Sequence, residues 1–274
     1  MRRLAVVVVA LVVLAAACSS DEPELVGIRA SNDPAVGDQR FLFGVHEISG
    51  ARRGSPEELV TLTATSLDSA DSSFDVDAEF VWMVPGAFGI YKAAIPFDVP
   101  GQWEIDWTIS TGETTDPFLV LVADEPTTVA IGEEAPRAPT PTLADTDLAD
   151  LTTDYPVNEA FYELSLDEAL ENGKKTVAIF ATPAYCTSAA CGPMMQQVKE
   201  IQTTHADVDW VHVEVYQGFN EAGFAPDVGH LAPAVVEYGL QSEPWIFVMD
   251  EQGIVIARIE GVLGEGELET LLAS

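Results

Sequence analysis

Hydrophobic and polar positions follow three regimes along the chain. Leu4 to Ala17 is an unbroken apolar run. From Glu24 to Ala123 the period is two: Val60-Thr61-Leu62-Thr63-Ala64-Thr65 alternates, and Trp103, Ile105, Trp107 and Ile109 alternate with Glu104, Asp106 and Thr108. Such alternation predicts strands with one buried face. Further strands are expected at 24–30, 40–48, 74–84, 89–97 and 118–123. Turn formers separate them, among them Asn32-Asp33-Pro34, Pro85-Gly86 and Pro100-Gly101. About seven short strands at this spacing predict a β-sandwich of the immunoglobulin-like class.

Residues 124–154 carry Pro126, Pro136, Pro139 and Pro141 among Thr, Ala and acidic residues, which predicts an extended, poorly packed linker. Beyond it the periodicity changes. Ser165-Leu166-Asp167-Glu168 is a capping-box start, and Asn172-Gly173 closes that helix. The predicted order continues as strand 176–180, a cysteine-bearing loop and helix to about His205, strand 208–216, helix 232–238, strands 245–250 and 254–260, and helix 265–272. Alternating elements imply an α/β domain over 155–274, a central sheet covered by helices.

The 274 residues suffice for two cores. A formal net charge of −33, from 45 acidic and 12 basic residues, excludes nucleic acid as a partner, because phosphate binding needs clustered Lys or Arg. Met1-Arg2-Arg3 before the short apolar run reads as a secretory signal over 1–17, too short to span a bilayer. Leu14-Ala15-Ala16-Ala17-Cys18 resembles the lipobox of bacterial lipoproteins, with Ala15 where Leu is usual. That resemblance implies acylation of Cys18, a tether over 18–23, and a chain held on the extracytoplasmic face of the cell membrane. Outside the cytoplasm disulfides persist, and with Cys18 assigned to lipid two of the three cysteines remain, Cys186 and Cys191.

Three features in order carry a second resemblance. A buried strand runs into an aromatic and a cysteine, Val177-Ala178-Ile179-Phe180-Ala181-Thr182-Pro183-Ala184-Tyr185-Cys186. Ser242-Glu243-Pro244-Trp245 precedes a core strand, and Asp250-Glu251-Gln252-Gly253 makes the hairpin after it. Over roughly the last 120 residues the chain resembles the thioredoxin superfamily. The resemblance implies a redox site at Cys186 and Cys191, a cis proline at Pro244 that leaves the Glu243 carbonyl free to pair with a substrate peptide, and Tyr185 beside it. Exported protein thiols or disulfides would be the partners, with no cofactor.

The cysteines depart from the usual Cys-x-x-Cys spacing. Residues five apart in one helix are separated by about 7.5 Å in rise alone, beyond the roughly 4.4–6.8 Å that a disulfide accepts, so both cannot be helical and bonded. Pro193 fits a first turn, which places the helix start near Cys191 and leaves Cys186 in the preceding loop. The helix-start amides then favour a thiolate at Cys191, with Cys186 as its redox partner. A helix starting at Cys186 would swap these roles. Two alternatives stand beside the redox reading. The pair can be a structural disulfide of a non-catalytic lipoprotein, although a six-residue loop is a weak staple. The spacing also resembles the Sco-type copper chaperones, in which thiolates suit Cu(I), with His230 as the third ligand and His212, Met194 and Met195 as further candidates.

Overall fold

A computed structural model describes residues 25–112 and 116–273. The expected signal, Cys18 and its tether lie outside the described residues. In the N-terminal region the strands are β1 (Leu25–Arg29), β2 (Gly37–Glu47), β3 (Arg52–Arg53), β4 (Val60–Ser66), β5 (Ser73–Val84), β6 (Phe88–Phe97), β7 (Gly101–Ile109) and β8 (Phe118–Val122). Every pairing is antiparallel along the order β1-β2-β6-β5-β4-β7-β8, and β3 adds to β2. The sheet rolls up until its ends meet. Ala35, beyond β1, bridges Ala123, beyond β8, and the Val36 amide donates to the Ala123 carbonyl at 3.0 Å. This is a nearly closed β domain, compatible with a sandwich or barrel.

The inward positions of each strand fill it. Phe41, Phe43, Tyr91, Trp103 and Trp107 are buried together, and Phe43 stacks on Tyr91 with ring centroids 5.5 Å apart. Gly27 lets β1 lie over this core, because a β-carbon there would run into the Phe118 ring. Close packing of this kind tolerates no added methyl.

The C-terminal region orders α1 (Leu148–Leu151), α2 (Leu166–Glu171), β9 (Thr176–Ala181), α3 (Cys191–Gln202), β10 (Asp209–Glu214), α4 (Pro233–Glu237), β11 (Trp245–Met249), β12 (Val255–Glu260) and α5 (Glu267–Leu272). Its sheet runs β10-β9-β11-β12, with β9 and β10 parallel and the other pairs antiparallel. β9 is buried along its whole length, so its two faces feed two cores. Val177 and Ile179 pack with Met194, Val198 and Leu268, while Ala178 and Phe180 pack with Ala169, Val235, Tyr238 and Phe247. The expected capping box forms, with the Ser165 amide donating to the Glu168 carboxylate at 3.2 Å.

Residues 124–154, expected to be a poorly packed linker, hold little helix or strand yet are well packed. The Gly132 amide donates to the Val255 carbonyl at 2.8 Å and the Ala135 amide to that of Gly253 at 2.9 Å, and Ala135 and Ala138 enter the second core. The segment takes up the free edge of β12, which satisfies its backbone without regular structure.

The two regions press against each other through charged and apolar contacts. Arg258 on β12 pairs with Asp33 at 2.8 Å with both side chains 9% exposed, and Arg40 on β2 meets Glu267 of α5 through two contacts of 2.7 and 3.0 Å. The Glu260 carboxylate accepts from Asn32 in the first region and from Ser242 in the second, each at 2.7 Å. Val81 and Met83 of β5 pack on Ala190 and Val262. The β domain therefore touches the loop between the cysteines.

Candidate functional site

The buried strand β9 delivers the chain into the loop 182–190, and α3 begins at Cys191 with Pro193 in its first turn. Cys186 and Cys191 are joined as a disulfide with Cα atoms 6.1 Å apart, inside the range that such a bond accepts. The helix start expected from Pro193 is the one observed. Ala189 reaches φ +59, the left-handed region, to fold Cys186 back onto the helix end.

The two sulfurs differ in setting. Cys191 is fully buried among Met194, Met195 and Ile179, whereas Cys186 is half-buried. The Cys191 amide donates to Cys186 Sγ at 3.3 Å, and Ser188 Oγ lies 3.3 Å from the same sulfur. The helix-start amide expected to favour a thiolate at Cys191 is thus directed at the Cys186 sulfur. The first amide of a helix points outward past the helix end, so it supports negative charge on a group in the preceding loop rather than on its own side chain. Cys186 receives that support.

Ser188 links the sulfur to the proline loop. The Glu243–Pro244 peptide bond is cis, and the Glu243 carbonyl, expected to stand free for a substrate, accepts from Ser188 Oγ at 3.3 Å. One of the two lone pairs of that carbonyl is therefore in use. The Glu243 carboxyl is pushed above its ordinary range by burial, opposed by a hydrogen bond from the Thr187 backbone. The four residues between the cysteines thus lean on the proline loop at two points. Tyr185 faces the other way: its hydroxyl donates to the Phe219 carbonyl at 3.4 Å and its ring lies 5.0 Å from that of Phe224.

His230 ends the same aromatic group, 5.1 Å from Phe224, with Nδ1 2.9 Å from the Asp227 carboxylate. His212 is enclosed on β10. Its Nδ1 accepts from the Tyr162 hydroxyl at 2.6 Å and its Nε2 donates to the Ala181 carbonyl at 3.1 Å. Burial depresses its pKa to about 4, with the Ala181 carbonyl opposing and the Lys199 charge assisting, so the ring is neutral and both nitrogens are spent. Met194 and Met195 are core residues. Among the described residues no group of three or more His, Cys, Asp or Glu is placed to hold a metal ion.

Beneath the loop sits a residue that strand periodicity did not single out. Glu214 is buried, and burial pushes its pKa up to about 7 against hydrogen bonds from Thr153. Its Oε2 accepts from the Thr153 amide and hydroxyl, each at 2.8 Å, and Thr153 Oγ1 in turn accepts from the Ala184 amide at 3.1 Å. The signal for it was the pair His212 and Glu214 inside a strand buried on both faces, where polar side chains need partners.

No curated protein matches the chain. Residues 162–274 match the family described as thioredoxin-like domain. That span contains the disulfide, the cis proline and the four-stranded sheet that positions them, so the C-terminal part of this protein is a thioredoxin-like domain.

Proposed function

We propose that the protein is a thiol–disulfide oxidoreductase in which Cys186 attacks and Cys191 resolves. The carrying observation is the asymmetry of the pair: Cys186 is reachable and accepts the Cys191 amide, while Cys191 is wholly enclosed. In the reducing direction the Cys186 thiolate attacks one sulfur of a substrate disulfide, forming a mixed disulfide and expelling a substrate thiolate. Cys191, after losing its proton, attacks Cys186 Sγ. The second substrate thiolate leaves, the Cys186–Cys191 bond forms, and two electrons have passed to the substrate. The oxidising direction is the same sequence reversed.

A thiol–disulfide role fits an extracytoplasmic chain, which the Leu14–Cys18 stretch supports through acylation of Cys18 and attachment to the bilayer. The N-terminal β domain, read as an immunoglobulin-like sandwich, serves as a companion to the thiol site.

Trapping tests the roles. Reduced Cys191→Ser protein should accumulate a mixed disulfide at Cys186 with a substrate disulfide, visible as added mass under non-reducing conditions, and Cys186→Ser protein should form none. Exchange by both variants at the wild-type rate, or a wild-type disulfide that no dithiol reduces in the folded protein, would leave the bond structural. Cys18→Ser should move the protein from the membrane fraction or block its processing; a wild-type protein found wholly soluble and unacylated would remove the anchor.

A further inference from the structure

A cleft of about 460 Å³ lies between the β domain and the thiol loop. One wall is the outer face of the rolled sheet, with Ile28, Met83, Phe88 and Ile90; the other includes Ser188, Glu243 and Pro244. It adjoins the redox site through Ser188, a lining residue whose hydroxyl lies against both Cys186 Sγ and the Glu243 carbonyl. Its volume falls within the range of small-ligand pockets, about 300–1,000 Å³.

The charges on the walls are unusual for this chain. Among the described residues, each Lys and Arg other than Arg29 and Arg52 meets a carboxylate or a backbone carbonyl. Those two exposed arginines, which have no carboxylate partner among the described residues, both line this cleft. Arg52 is stacked over Phe88 at 4.0 Å, which holds its guanidinium at the apolar patch. His46 lies on the same wall. The carboxylates opposite are already engaged, Glu260 by Asn32 and Ser242 and Glu243 by the Thr187 backbone. In a protein of net charge −33, the cations left without a carboxylate among the described residues are collected beside the thiol site.

We propose that this cleft is the substrate groove and that it selects an extended peptide segment, flanking the substrate cysteine, with an apolar residue and neighbouring carboxylates. The apolar side chain sits on Ile28, Met83, Phe88 and Ile90, and the carboxylates pair with Arg29 and Arg52. The inference rests on the thiol–disulfide reading of Cys186 and adds the substrate class.

Binding and chemistry are read separately. The probe is a fluorescein-labelled peptide with a leucine and aspartates around a serine that replaces the cysteine, compared with its lysine-for-aspartate counterpart. Each is titrated with oxidised full-length protein at low ionic strength and followed by anisotropy. The overall charge of the protein favours the basic peptide, so the cleft must work against that field. The acidic peptide should bind at least tenfold more tightly than the basic one. The double variant Arg29→Gln/Arg52→Gln should erase the preference, while Arg137→Gln, outside the cleft, should keep it. Equal binding, tighter binding of the basic peptide, or a preference that survives the double variant would overturn the groove. Reduction of a small neutral disulfide by the reduced wild-type protein reports on exchange itself: its absence sinks the redox reading, and its presence with equal peptide affinities sinks only the groove.

Discussion

Ala189 carries the conformational cost of the wide cysteine spacing. A non-glycine residue at φ +59 loses roughly 1 kcal/mol against glycine, and this side chain is exposed, so it has no packing to offset the loss. Ala189→Gly should raise the stability of the oxidised protein by up to about 1 kcal/mol, less the extra chain entropy of glycine, and Ala189→Val should lower it, read from thermal melts. The same turn presents Cys186 outward. In the reduced protein Cys186 should therefore react with iodoacetamide at least tenfold faster than Cys191, measured by peptide mass after timed quenching. The identity of the two thiols was legible in the residues themselves, as was the helix start through Pro193. Which sulfur the helix-start amide faces was not, because that depends on how the loop folds back, and linear spacing carries no direction of that kind.

At the scale of elements, β10 contains two groups whose titrations oppose each other. Burial raises Glu214 to about 7, so between about pH 4.5 and 7 the folded chain keeps a proton that the unfolded chain has released, and this contribution to stability falls as pH rises. His212 is lowered to about 4, so between about pH 4 and 6.5 the unfolded chain binds the extra proton, and stability rises with pH. Over the shared window the slopes cancel in the wild type. The stability of wild type minus that of Glu214→Gln should fall with pH by up to about 1.4 kcal/mol per unit between pH 5 and 7, measured by urea unfolding. A flat difference would show that Glu214 titrates normally. Most of the elements themselves were readable: Val60–Ser66 and Gly101–Ile109 contain the alternating runs, because a half-buried strand forces that period. The packed course of residues 124–154 was not, since Ala135 and Ala138 are buried only because the edge of β12 lies beside them.

For the whole molecule, the contact between the two regions decides whether they act as one unit. Arg258 and Asp33 are nearly buried, and Asp33 stays below its ordinary range despite burial because Thr127 and Thr128 donate to it. Removing one partner of such a pair costs about 3–5 kcal/mol, because the other charge is left without compensation. Arg258→Leu should split a single unfolding transition into two in calorimetry, and Asp33→Asn in the same chain should recover part of the loss. Retention of one transition in Arg258→Leu would show that the apolar contact around Ala190 suffices. The pair joins residues 225 apart in sequence, so neither it nor the isolation of Arg29 and Arg52 could be read before the chain was folded.

The hydrogen bonds that Asn32 and Ser242 both give to Glu260 hold the β domain at a set distance from the Pro244 loop. A gap of about 460 Å³ admits a few residues of chain and shuts out a folded domain. A segment inside a folded substrate would then enter the cleft only during that substrate's own local openings. Binding of such proteins in the cleft would track the opening equilibrium of the substrate, and the same segment in an unfolded chain would bind without that delay.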